Sequence, residues 1–145
     1  MNIPESIREW IEKRIEEEYA DLDGIQLAIT GEEADVTPPF IAIYETSSSQ
    51  HEAGGVLMDG VTDFEIAVEL QTVPADANNS GTPNVIEEGY KNDIFNILAD
   101  RSIIDYADNR NNARIFDIRT SSSVTEPGEG RRVTRWELKV IACPA

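Results

Sequence analysis

The sequence predicts an α+β fold: a mostly antiparallel sheet with two main helices packed on one face, in the order α-β-β-β-α-β-β. Three observations predict it. Apolar residues recur at helical spacing near the start of the chain and again after residue 82. Five other segments alternate apolar with polar residues or run apolar for a few positions, as strands do. Runs of strands punctuated by helices belong to α+β architectures. A length of 145 residues suits one domain, 1–145. Neither an internal repeat nor an interdomain linker is visible.

The first helix is expected over about 3–22. Asn2 with Glu5 three residues on resembles a capping box, and Pro4 fits the first turn. Ile3, Ile7, Trp10, Ile11, Ile15, Tyr19 and Leu22 form the apolar stripe, with Glu9, Glu12, Glu16 and Glu17 opposite. Gly24 is a natural C-cap. Ile25, Leu27 and Ile29 read as a half-buried strand, and Gly31 to Pro39 as a polar loop. Phe40 to Thr46 is a short apolar run suited to a strand covered on both faces. Ser47 to Gly60 is small and polar, with Gly54-Gly55 inside it, and reads as a long loop of the kind that acts or is disordered.

The cleanest strand follows: Thr62, Phe64, Ile66, Val68 and Leu70 point one way, Asp63, Glu65 and Glu69 the other. A polar loop spans Val73 to Gly81. Thr82-Pro83 opens a second helix as cap and first turn, with Val85, Ile86, Tyr90, Ile94, Ile97 and Leu98 as its stripe. Ile103, Ile104 and Tyr106 continue into a short extra turn. Ala113 to Thr120 and Arg132 to Ala142 are strands, joined by a flexible hairpin loop from Ser121 to Gly130. Phe116, Ile118, Trp136, Leu138 and Val140 are expected in the core.

Charge is distributed unevenly. The first 90 residues hold 20 acids and only Arg8, Lys13 and Arg14 as bases; the remaining 55 hold eight acids and nine bases. Acids in that number cannot all be buried, so the N-terminal part shows a negative surface that repels nucleic acid and anionic membranes and attracts a basic patch. Only three lysines stand against nine arginines. That composition fits a protein of very salty cytoplasm, where salt screens self-repulsion; an acidic working surface at ordinary salt is the other reading. No stretch reaches the roughly 20 apolar residues that span a bilayer, and the N-terminus does not read as a signal peptide.

Equipment for chemistry is thin. His51 and Cys143 are the sole histidine and cysteine, too few for a tetrahedral zinc set. A His51 in a solvated loop lacks the packing and third group that orient a catalytic base, and Cys143 reads as a small hydrophobe. No glycine-rich phosphate loop follows a strand. The chain is therefore expected not to be an enzyme and to need no cofactor. One motif approaches a calcium loop: Asp76, Asn78 and Ser80 at positions 1, 3 and 5, Gly81 at the turn and Glu87 as bidentate ligand. A leading strand in place of a helix, the low ligand charge and Pro83 argue against it. An Asn/Asp/Gly turn before a helix explains the same residues. Arg131, Arg132 and Arg135 enter the last strand, where they are expected at a contact between subunits or as ion-pair partners within their own sheet.

The strand Phe64–Leu70, the polar loop, the helix Val85–Leu98, the Ile103-Ile104-Asp105-Tyr106 segment, Ile115–Ile118, the Gly128–Arg131 loop and the last strand ending Leu138–Ala142 follow one another in an order that resembles tail-terminator (tail-completion) proteins of long-tailed phages and related archaeal viruses. The N-terminal helix and first strands keep to that order, so the resemblance covers most of the chain. It implies a hexameric ring at the head-proximal end of the tail tube, in the virion neck, assembled in the host cytoplasm. Such a ring ends tube polymerisation, joins the tube protein to the head connector, and lets DNA through its lumen without specific binding; no membrane is involved. The 47–60 stretch and the acidity depart from the pattern. They leave another neck or head-closure protein as the alternative, with a small calcium- or ligand-binding module behind it.

Overall fold

The computed structural model describes residues 3–19, 22, 25–28, 37–111, 113–128 and 130–144. Its elements are α1 (Ile3–Glu18), β1 (Gln26–Ala28), β2 (Phe40–Ala53), β3 (Val56–Thr72), α2 (Glu87–Ala99), α3 (Ser102–Asn111), β4 (Ala113–Thr120), β5 (Val124–Pro127) and β6 (Arg132–Pro144). The six strands form one sheet in the order β1-β2-β3-β6-β4, with β5 also on β6. All pairings are antiparallel except the short parallel one between β1 and β2. The expected α+β sheet is present. Asn2, Gly24, Ile29 and most of the 31–39 loop lie outside the described residues.

Strand alternation sorts the sheet into two faces. Ile41 and Ile43 of β2, Ile66, Val68 and Leu70 of β3, Ile115 and Ile118 of β4, and Trp136, Leu138 and Val140 of β6 point to one side and are buried. There they join Ile3, Ile7, Ile11 and Ile15 of α1, Ile94, Ile97 and Leu98 of α2 and Ile103 of α3 in a single cluster. The helices thus cover one face only. Phe40 and Ala42 form a small separate cluster on the other face, so Phe40 to Ile43 is covered on both sides, as its continuous apolar run foretold.

Several expectations are corrected. The 47–60 stretch is a two-stranded arm and not a loop. Ser47, Ser48, Ser49 and Gln50 pair with Glu65, Phe64, Asp63 and Thr62, and Glu52 and Ala53 with Leu57 and Val56. Gly54 and Gly55 turn the chain at φ 59° and 81°, the positive values that a type I′ hairpin turn requires at both central residues. The second helix begins at Glu87 and not at Thr82-Pro83: Asn84 Oδ1 accepts the Ile86 N–H and the Asn84 carbonyl accepts that of Glu87. Val85 is 93% exposed and falls outside the apolar stripe.

The extra turn after Ala99 is a ten-residue helix, α3. Asp100 both ends α2 and caps α3, accepting the Ser102 N–H and hydroxyl. Phe116 is exposed because the β4–β6 register shifts between Ile115 and Asp117. The extra residue at this bulge resets the alternation and lets Ile115 and Ile118 share the core face. The supposed loop after β4 contains β5, which pairs Val124–Pro127 with Arg135–Arg132.

Candidate functional site

Two surfaces stand out: the arginine-bearing strand β6, and the edges that the sheet leaves open. Alternation splits the arginines of β6. Arg132 turns toward the loop before α2. Its Nε and Nη2 donate to Oε1 and Oε2 of Glu87 at 2.7 and 3.2 Å, and its Nη1 donates to the Ser80 carbonyl at 3.0 Å. Thr72 Oγ1 adds a hydrogen bond to Glu87 Oε1 at 3.0 Å. The two charged side chains are only 11% and 3% exposed. Burial pushes the Glu87 carboxyl up, but the hydrogen bonds from Arg132 and Thr72 and the charges of Arg132 and Lys91 outweigh it and hold it below the usual carboxylate range. A bidentate pair of this kind pins the 73–86 loop onto the sheet.

That geometry engages the calcium-loop residues differently from a calcium site. The Glu87 carboxylate faces Arg132. Asp76 Oδ1 accepts the Asn78 N–H at 2.9 Å, Asn79 Oδ1 accepts the Gly81 N–H at 3.0 Å, and Ser80 contributes its carbonyl to Arg132. These are side-chain turns of the Asx type. Among the described residues no group of three or more His, Cys, Asp and Glu is placed to hold a metal ion.

Arg131 and Arg135 lie toward the sheet face without helices. Arg131 Nη1 donates to Gln71 Oε1 at 2.8 Å. Arg135 reaches Glu137 at 3.2 Å and Glu69 at 4.0 Å, with its guanidinium 5.9 Å from the Tyr44 ring centre. Tyr44 in turn donates to Glu69 at 2.6 Å. A 490 Å³ concavity adjoins Arg135 and is walled by Ser121, Ser122, Val124 and Glu126. The three arginines expected to act together therefore divide. Arg132 is committed to its own chain, while Arg135 is half-buried at the open face.

His51 sits on β2 of the arm and not in a loop. Its Nδ1 lies 2.8 Å from Asp63 Oδ1, and Lys139 Nζ is 3.6 Å from the other oxygen of that carboxylate. The nearby Ser47 hydroxyl donates to Glu65 instead. Cys143 is a half-buried free thiol.

The open edges carry several of the exposed apolar side chains. On the arm tip Val56, Leu57 and Met58 are 65%, 59% and 42% exposed. At the far edge of the sheet β4 pairs only with β6. Beside it lies a 380 Å³ groove between β4 and α2, lined by Phe95, Leu98, Ala99 and Ile118 and flanked by Arg101 and Arg119. Arg101 Nη1 donates to the Ile118 carbonyl at 2.7 Å.

Sequence reasoning passed over Glu87 as a partner of Arg132, Asp100 as a cap and the arm itself. For Asp100 the signal was a cap residue two before Ser102; for the arm it was Gly-Gly between segments able to pair. No protein-family model matches the chain, and neither does any curated protein. No helix among the described residues is long and apolar enough to cross a membrane.

Proposed function

We infer that the protein is a structural subunit of a viral neck, forming a ring at the head-proximal end of the tail tube that ends tube polymerisation and joins the tail to the head connector. The observation that supports this reading is the succession of elements: a helix, three strands, a helical segment and closing strands around one open sheet. That is the order on which the resemblance to tail terminators rests. In this role the chain acts by geometry and not by catalysis. The acid excess suits a lumen wall, because a negative wall does not retain DNA in transit.

Native mass spectrometry and electron microscopy of the purified protein, alone and mixed with tail-tube protein, test the reading. A discrete ring that caps tubes and shortens them is the expected result. A ring that leaves tube length unchanged moves the assignment to a head-closure protein. A monomer at high concentration, with or without tube protein, overturns it.

A further inference from the structure

The arm has an unused surface and the β4 edge has an unused groove, and the two are complementary. Over residues 45–60 the arm has three acids, Glu45, Glu52 and Asp59, and neither lysine nor arginine. Its tip adds the exposed Val56, Leu57 and Met58. The groove is apolar at its base, with Phe95 itself 51% exposed, and has two arginines at its rim: Arg101, whose Nη1 donates to the Ile118 carbonyl, and the exposed Arg119, whose Nε pairs with Asp117 at 2.8 Å. An exposed apolar tip on a negative stem thus faces a counterpart of matching chemistry in the same sequence.

The arm cannot fill the groove of its own chain. β3 meets β6 from Thr62 onward, opposite Ala142. Gln50 faces Thr62 and Ala53 faces Val56, so the tip pair stands three residues, roughly 10 Å at about 3.3 Å per residue, past that level, the additional β3 residues being taken up by the irregularity between Leu57 and Thr62. The groove lies the other way, beside Ile118 to Thr120, which pair with Val140 to Leu138. The whole of β6 stands between β3 and β4. Reaching back would require unzipping the hairpin.

We propose that the arm tip of one copy, through Val56, Leu57 and Met58, docks in the groove between β4 and α2 of a second copy, with Arg101 and Arg119 of the receiving copy facing the acids of the arm. The contact uses two different patches, so every copy both gives and receives, and the assembly closes into a ring when the rotation permits. This deepens the neck-ring reading and rests on it only for closure into a ring.

The test uses Leu57→Asp on the arm and Phe95→Asp in the groove, each at an exposed position, followed by native mass spectrometry and circular dichroism. Each variant alone is expected to keep the wild-type dichroism and lose all assembly. Their equimolar mixture is expected to give a 1:1 heterodimer and nothing larger. The Phe95→Asp copy still has an intact arm and the Leu57→Asp copy an intact groove, and no second contact remains after these join. Arg119→Glu, at a side chain 73% exposed, replaces Phe95→Asp if that variant's dichroism changes.

Assembly of either variant like wild type, or a mixture that yields no heterodimer, overturns the arm–groove contact and leaves the ring reading standing. Open chains of wild-type protein that the variants abolish uphold the contact and overturn the ring. A wild type that stays monomeric at high concentration overturns both.

Discussion

The rooted and projecting halves of the β2–β3 hairpin belong to one hydrogen-bonded ladder, yet their surroundings have nothing in common. In the rooted half Phe40 to Ile43 are all buried, as are Ile66, Val68 and Leu70. From Glu45, where β2 becomes the wet edge of the sheet, through the projecting end to Gly60, every residue is exposed except the half-buried His51. Backbone pairing is therefore enough to shape a strand, but not to make it stable. A lone hairpin is marginal in water. The arm holds its form because its base continues into a sheet that buries apolar surface, at about 1.5–3 kcal/mol for each fully covered Ile, Leu or Val. The arm contributes little to that stability, so its exposed side chains are free to serve contact.

The sharpest way to break this contrast is to remove Trp136, the large buried side chain beside the rooted half. Trp136→Ala is expected to cost about 4 kcal/mol in urea unfolding. Loss of less than about 1 kcal/mol would show that the sheet core is not where stability resides. Next is the buried pair behind the sheet. Glu87→Gln leaves Arg132 without its counter-charge and is expected to cost about 3 kcal/mol. Because the folded Glu87 carboxyl lies below its ordinary value, its contribution is full above the unfolded pKa and disappears as pH falls through the folded one. The gap between wild type and Glu87→Gln should accordingly hold at neutral pH and close in acid. A gap that widens on acidification would contradict the assigned role.

Salt probes a third region against the sheet. The last turn of α1 holds Glu16, Glu17 and Glu18 and no base, an arrangement opposed by the helix dipole. Arg8 pairs with Glu5 and Glu12, and Arg14 with Glu18 and Asp100, which offsets part of the repulsion. From dilute buffer to about molar salt, where the screening length falls to about 3 Å, the melting temperature is expected to rise by on the order of 5 °C. A flat profile in calorimetry would remove the reading of the composition as an adaptation to high salt. Asp100→Ala, which deletes the cap of α3, is expected to cost about 1 kcal/mol in the same unfolding assay. The smallest effect belongs to the arm: Leu57→Asp should change stability by less than about 0.5 kcal/mol, and a larger loss would mean that the tip is packed within its own chain.

Much of the sheet was legible because β3 and β6 alternate cleanly, with Phe64, Ile66 and Val68 set against Asp63, Glu65 and Glu69. The arm was hidden because Ser47 to Ser49 have no apolar side to reveal; a strand with two wet faces has no period to read. Phe116 was misplaced because a bulge is a property of the pair, here β4 with β6, and not of either strand alone. The helix boundary at Glu87 was masked by Thr82-Pro83, which carry the usual start signal, while Asn84 is the residue that takes the Ile86 and Glu87 N–H groups. The candidate surfaces were the least legible part. Arg131, Arg132 and Arg135 look like one cluster along the chain, but the two-residue period of the strand sends Arg132 inward and leaves Arg135 at the open face.

β6 has a further consequence for the order in which the fold is completed. It lies at the middle of the sheet, between β3 on one side and β4 with β5 on the other, yet the ribosome makes it after all the other described elements. Until then the inner edge of β3 has no partner, and the apolar faces of α1 and α2 have no Trp136, Leu138 or Val140 to close against. Thr62 must wait for Ala142. Such long-range pairing is slow and leaves sticky surface uncovered while it is pending. This order predicts that the domain closes late, once its central strand is available to pair with β3 and β4.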